Sequence, residues 1–170
     1  KQKAKTQLAA FNIKEIAGNL DLFFLSEKLR YLCTLLSWKN VIKHDVELLF
    51  MEEIIKQVES IDYENIAPIA IYYQTYLTYI DSDNDAHLFK LKEFISKFIN
   101  NFPLEEAKEI YGAAFNFCIR KINQGKEEFL TEILTLYEDS LHEKIIFERG
   151  FITPSNFRSI IFIALRLGKF

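Results

Sequence analysis

The chain has 170 residues, 49% of them hydrophobic and 26% charged, and a net charge of −3. That length supports one domain able to remove about 70% of its unfolded surface from water. The negative charge leaves no nucleic-acid footprint, which needs a basic surface, and no charge-free run reaches the roughly 18 apolar residues of a membrane span. Sixteen Phe beside only five Gly and three Pro suit packed helices rather than strands joined by turns. Cys33 and Cys118 each sit among aliphatic residues, as small core residues of a reducing compartment do, which places the protein in the cytoplasm. The chain opens on Lys1 without a secretory signal, and is expected to be a piece of a longer protein.

In chain order, residues 2–17 read as a first helix with an apolar stripe of Ala9, Ile13, Ile16 and Leu20, stopped by Gly18-Asn19. Lys1, Lys3 and Lys5 read as its solvated, frayed start. A second helix is expected from Asp21, as cap, to Asn40, with Leu25, Leu29, Leu32 and Leu36 on its core face and Trp38 near its end. A third runs from Asp45, again a cap, to Ser60, burying Leu48, Leu49, Ile54, Ile55 and Val58.

The fourth helix, Ile66–Ile80, has Asn65 as cap and Pro68 in its first turn, where no intrahelical donor is lost. Ile66, Ile69, Tyr73, Tyr76, Leu77 and Ile80 form its core arc, with Tyr72 and Tyr79 at the edge. Five of the eight tyrosines fall between Tyr63 and Tyr79, so this helix is either gap-filling core or a binding groove. Asp81-Ser-Asp-Asn-Asp85 has the opening of a calcium loop, but the required Gly and bidentate Glu positions hold Ala86 and Lys92, and the stretch reads as a turn.

A fifth helix over 85–100 buries Leu88, Leu91, Ile95 and Phe98. Pro103 opens a sixth, where Glu105 and Glu106 suit the positive end of the helix dipole. Gly112 lies inside this helix at a cost of about 1 kcal/mol relative to Ala, to be offset by close approach of a neighbouring helix. Gln124-Gly125 ends it, and a seventh helix over 126–141 buries Phe129, Ile133, Leu134 and Tyr137. The pattern weakens from His142 to Thr153, with a turn at Glu148-Arg-Gly150 and part of the stretch extending the seventh helix. Thr153-Pro154 caps and starts the last helix. Nine of the 14 residues from Phe157 to Phe170 are apolar, so Phe157, Ile161, Phe162, Leu165 and Phe170 are expected to pack on a further repeat or a partner chain, which includes a homodimer through this helix.

Self-similarity runs through these helices. Tyr72, Tyr76, Leu91, Ile95 and Phe98 find Tyr111, Phe115, Leu130, Leu134 and Tyr137 at 39 positions further on. At 41 positions back, Tyr72, Tyr76, Tyr79, Leu91 and Ile95 find Tyr31, Leu35, Trp38, Phe50 and Ile54. A period near 40 with two helices per unit is the mark of stacked helical hairpins. The expected fold is all-α: a right-handed α-α superhelix, or solenoid, of about four hairpins and roughly eight helices. It spans 1–170 as one domain, with helix pairs at 1–40, 41–80, 81–123 and 124–170 and repeat units at 21–60, 65–100 and 104–141.

Tyr111-Gly112 with Phe115, and Tyr72-Tyr73 with Tyr76, resemble the aromatic and small positions in the first helix of tetratricopeptide-like repeats, over about Asp21 to Leu141. The period is longer than the standard 34 residues, and the small residue early in the second helix and the closing Pro are not recognisable. The resemblance implies a scaffold that binds peptides or proteins on the face lined by first helices, here Tyr31, Trp38, Tyr72, Tyr79 and Tyr111.

No motif for catalysis, a cofactor or a metal is present: His44, His87 and His142 are scattered, and the acidic pairs splay across helix surfaces. The leading expectation is a non-enzymatic interaction module for a protein or peptide partner. A second is a structural or oligomerisation segment using the apolar C-terminal helix. A third is a regulator holding a small apolar ligand near Tyr72, Tyr76 and Gly112.

Overall fold

A computed structural model of the protein describes residues 2–39 and 48–169, with side chains from residue 10 onward. The expected roles of Lys1, Lys3, Lys5, Asn40, His44, Asp45 and Phe170 fall outside these residues. The chain gathers into two compact units, 1–76 and 77–170.

The first unit begins with α1 (Gln2–Trp38), one continuous helix where two were expected. Gly18-Asn19 does not stop it. A break would orphan backbone groups on both sides, whereas carrying a helix through one Gly costs about 1 kcal/mol. Asp21 is therefore interior, not a cap. The buried side of α1 is Leu25, Leu29 and Cys33, one turn apart. Next comes α2 (Met51–Ser60), shorter than expected at its start. Phe50 precedes it in a left-handed conformation (φ 64°), and Leu49 is exposed rather than core. Ile54 and Val58 are buried as the four-residue spacing requires.

A single 3-10 turn (Tyr63–Asn65) leads into α3 (Ala67–Ile80). Asn65 donates its side-chain N–H to Asp62, and α3 starts two residues further on, at Ala67. Every residue from Ile69 to Thr75 is buried, so α3 is enclosed all round rather than along one arc, while Ile80 is exposed. The Cys33 thiol donates to the Tyr72 carbonyl at 3.2 Å, tying α3 to α1. The Tyr73 hydroxyl donates to Glu59 of α2 at 2.7 Å, and the Tyr73 ring meets Tyr63 edge-on at 5.0 Å.

In the second unit, α4 (Ala86–Phe98) runs into a 3-10 turn (Ile99–Asn101) and is followed by α5 (Leu104–Asn123) and α6 (Phe129–His142). Leu88, Leu91, Phe94 and Ile95 form the buried face of α4. Phe115 stacks on Tyr137 at 4.3 Å and Phe117 lies 6.1 Å from Phe129, locking α5 to α6. Gly125, at φ 89°, ends α5, and the Lys126 N–H reaches back to the Lys121 carbonyl at 3.0 Å.

The stretch after α6 does not extend it. Lys144 turns left-handed, Ile145 donates its N–H to the Ser140 carbonyl, and Ile145 and Ile146 are buried. A small antiparallel hairpin follows, β1 (Phe147–Glu148) against β2 (Phe151–Ile152), pairing Phe147 with Ile152 and Glu148 with Phe151. Its two-residue loop, Arg149-Gly150, has positive φ at both positions, which suits the right-handed twist of the strands. The fold is thus all-helical apart from this hairpin. Thr153 then caps α7 (Pro154–Arg166), its hydroxyl accepting the Asn156 N–H, with Pro154 in the first turn.

Six polar ties within the units have nearly the same span, while Tyr73 to Glu59 spans 14 residues and Lys121 to Asp85 spans 36. Cys33 to Tyr72, Lys92 to Glu132, Arg120 to the Thr78 carbonyl, Lys121 to the Asp83 carbonyl, Lys126 to Asp85 and Arg166 to Glu127 join residues 38 to 42 positions apart. Burial follows the 39-residue offset. Tyr72 and Tyr111 are both buried, as are Leu91 and Leu130, and Ile95 and Leu134. The 41-residue offset toward the N-terminus behaves this way only in part: Ile54 and Ile95 are both buried, but exposed Tyr31 is paired with buried Tyr72, and exposed Phe50 with buried Leu91.

Candidate interaction surface

The five aromatic residues expected to line a binding face do not share one environment. Tyr72 and Tyr111 are 5% and 2% exposed. They are core residues and offer no surface to a partner. The repeat resemblance sets both on the face of the first helices, but packing around α3 and α5 takes them inside. Burial raises the Tyr111 hydroxyl pKa, and burial followed by the Glu59 hydrogen bond raises that of Tyr73, so both stay neutral. Tyr79 is half-buried, with the Arg120 guanidinium 6.0 Å from its ring centre. Only Tyr31 and Trp38, 52% and 51% exposed, present a face to solvent, and both belong to α1.

They are not alone there. At 100° per residue, Ile13, Ile16, Leu20, Phe23, Phe24, Tyr31 and Trp38 fall within an arc of about 100° on α1. All seven are exposed. The opposite side of the same helix carries Gly18, Leu22 and Leu25, which with Gln57 and Ile61 of the α2 region line an open trough of about 630 Å³. The helix therefore has two apolar faces. One turns toward α2 and the unit's core; the other is bare from Ile13 to Trp38, about 38 Å at 1.5 Å per residue. Single exposed apolar residues are ordinary, whereas a row of this size, interrupted by Glu27 and Thr34, is a candidate interaction surface.

A second apolar face lies on α7. Ile163 is buried, while Phe157, Ile161, Phe162 and Leu165 are exposed, Phe162 at 58%. They form two rows at four-residue spacing, Phe157-Ile161-Leu165 and Arg158-Phe162-Arg166. Arg166 is held by Glu127 at 2.8 Å.

Gly112 is not a site of close helix approach, since a Cβ built there meets nothing within 4 Å. It lines a cavity of about 200 Å³ with Tyr111, Phe115, Ser140 and Ile145. That is smaller than the roughly 300 Å³ at which small-molecule sites begin. Tyr72 and Tyr76 belong to the other unit and are not among its lining residues.

The acidic turn between α3 and α4 is structural. Asp81 pairs with His87 at 3.0 Å and accepts from Asn84, and these hydrogen bonds lower its pKa. Asp85 pairs with Lys121 and with Lys126, Lys121 being the larger cause of its lowered pKa. Among the described residues no group of three or more His, Cys, Asp or Glu is placed to hold a metal. Among them, too, no helix is long and apolar enough to cross a membrane. Cys33 and Cys118 are both buried and not joined in a disulfide, and burial pushes the Cys118 thiol up to about 12. No family model, curated protein or solved structure matches the chain.

Proposed function

We propose that this chain is a non-enzymatic interaction module, a scaffold that binds a protein or peptide segment along the outer face of α1. The observation that carries this is the row Ile13, Ile16, Leu20, Phe23, Tyr31 and Trp38, exposed along one side of α1 and covered by no other element among the described residues. It keeps Tyr31 and Trp38 from the expected site and replaces the buried tyrosines with aliphatic and phenylalanine neighbours on one helix.

The frame is a stack of helical hairpins with a period near 40, a right-handed α-α superhelix akin to tetratricopeptide-like repeats. Two findings support the stack: polar ties 38 to 42 residues apart, and matched burial at the 39-residue offset. In a stacked repeat, equivalent positions of successive units are neighbours, which produces such ties. Two buried thiols, in the manner of small core residues, support a reducing, cytoplasmic setting. A second reading, a structural contact made through α7, is favoured by the exposure of Phe157, Ile161, Phe162 and Leu165.

The test compares affinity capture by the wild-type chain with capture by an Ile16→Asp, Phe23→Asp variant. Both positions are exposed, so the fold is retained. Loss of the captured proteins supports the α1 face, and an unchanged set removes it. Loss with Phe162→Asp instead shifts the site to α7.

A further inference from the structure

We propose that a second copy of this chain covers the outer row of α1, in an antiparallel pairing of the two helices. This rests on the reading of that row as the interaction face and names its occupant. Three observations carry it: area, charge and register.

The seven side chains are each between about half and two-thirds exposed. At about 200 Å² apiece they offer roughly 800 Å², the surface each partner contributes to a specific, stable interface. The helix is also in need of cover. From Ala10 to Asp21 every residue is exposed, and a helical stretch of that length without tertiary packing is marginal in water.

Charge favours a like partner. Between residues 10 and 38, Lys14, Lys28 and Arg30 balance Glu15, Asp21 and Glu27, so the stretch that carries the row is neutral and meets its own copy without net repulsion, while Lys3 and Lys5 lie before it in the sequence. The one charged residue within the arc, Glu27, is already paired with Arg30 at 2.6 Å. A strongly acidic or basic partner finds no complement there. The face on α7 differs in this respect. Residues 149–169 carry Arg149, Arg158, Arg166 and Lys169 and no carboxylate, and Arg158 sits beside the exposed Phe162 row, so pairing α7 with its own copy sets like charges against each other.

Register favours the antiparallel arrangement. A two-fold axis level with residues 25 and 26 sets Ile13 against Trp38 of the other copy and Leu20 against Tyr31, with Phe23 against Lys28 and Phe24 against Glu27 at its centre. The two outer pairs each join a smaller side chain to a larger one, which fills space evenly. A parallel pair would set Trp38 on Trp38 and leave a gap between the two Ile13 side chains. Opposed helix dipoles add to the preference.

Sedimentation equilibrium of the wild-type chain across the micromolar range, beside Leu20→Asp and Ile13→Asp variants checked for helicity, tests this. The expected result is a dimer whose dissociation constant rises by at least about a hundredfold in either variant, since each substitution acts twice per dimer. Trp38 is the sole tryptophan and lies on the row, so its acrylamide quenching should fall as the dimer forms. A monomeric wild type with quenchable Trp38 overturns the second copy and leaves the face open to another protein. A monomer with shielded Trp38 overturns both. A dimer indifferent to both variants also overturns the proposal.

Discussion

Replacing Asp85 by Asn tests how the second unit is tied together. Lys121 is 2% exposed, and its ammonium is held by the Asp85 carboxylate and the Asp83 carbonyl at 3.1 Å. The substitution keeps the shape of residue 85 and removes its charge, leaving a buried cation with neutral acceptors, the Asp83 carbonyl and the new amide oxygen, in place of a carboxylate. Breaking a fully buried pair costs about 3–5 kcal/mol and an exposed one under about 1. The side chain of Asp85 is one-third exposed, at 33%, so about 2 kcal/mol is expected. In a chain of this size that lowers the thermal midpoint by about 4–8 °C. Urea and thermal unfolding followed by circular dichroism at 222 nm read it.

Acidity supplies the second arm. The pKa of Asp85 is depressed in the folded state, first by Lys121 and then by Lys126. Its contribution is therefore complete above the ordinary carboxylate range and is lost as pH falls through the folded-state value. Asp85→Asn should flatten that acid limb. Lys121→Met, which removes the buried charge and leaves Asp85 with Lys126, should cost less than Asp85→Asn. An unchanged midpoint in Asp85→Asn, or a larger loss in Lys121→Met, would refute the reasoning.

Gly112→Ala should stabilise the chain by up to about 1 kcal/mol, read as a higher urea midpoint, because the new methyl meets nothing within 4 Å and replaces an interior helix glycine. Gly150→Ala should destabilise by about 1 kcal/mol, since residue 150 holds φ 85°. Arg149→Asn, at φ 51°, should instead be neutral or mildly stabilising in the same assay. Both thiols should react with a disulfide reagent only as fast as the protein opens, at neutral pH and up to mildly alkaline pH. Cys118 is pushed up to about 12 by burial and Cys33 is buried with its thiol donating to Tyr72. Prompt labelling of either would contradict its placement.

Local chemistry was legible in the sequence where it is self-contained. Thr153-Pro154 starts α7, Gln124-Gly125 ends α5, and Phe129, Ile133, Leu134 and Tyr137 face inward at helical spacing. What depends on neighbours was not. Gly18-Asn19 has the composition of a helix end, but the apolar row continues on one side from Ile13 to Trp38, and that continuity was the available signal for a single helix. With two apolar faces on α1, spacing alone cannot say which one the core takes. The run Ala67–Tyr73 is small and apolar on every side, the mark of an enclosed helix, yet the buried Gln74, Thr75 and Thr78 hid it behind an amphipathic reading. The Phe147–Ile152 hairpin has strands of two residues each, too short to show alternation, and its loop lacks the usual Asn-Gly or Asp-Gly pair. Burial matched at the 39-residue offset, while the 41-residue offset matched it at Ile54 and Ile95 but not at Tyr31 and Tyr72 or at Phe50 and Leu91.

Hydroxyl-radical footprinting of the dilute chain, resolved by residue, sets the bare row of α1 directly against the enclosed tyrosines. Rapid modification of Phe23, Tyr31 and Trp38 with protection of Tyr72 and Tyr111 is the predicted result. Protection of the α1 row in the monomer, or modification of Tyr72 and Tyr111 at the same rate, would contradict the account.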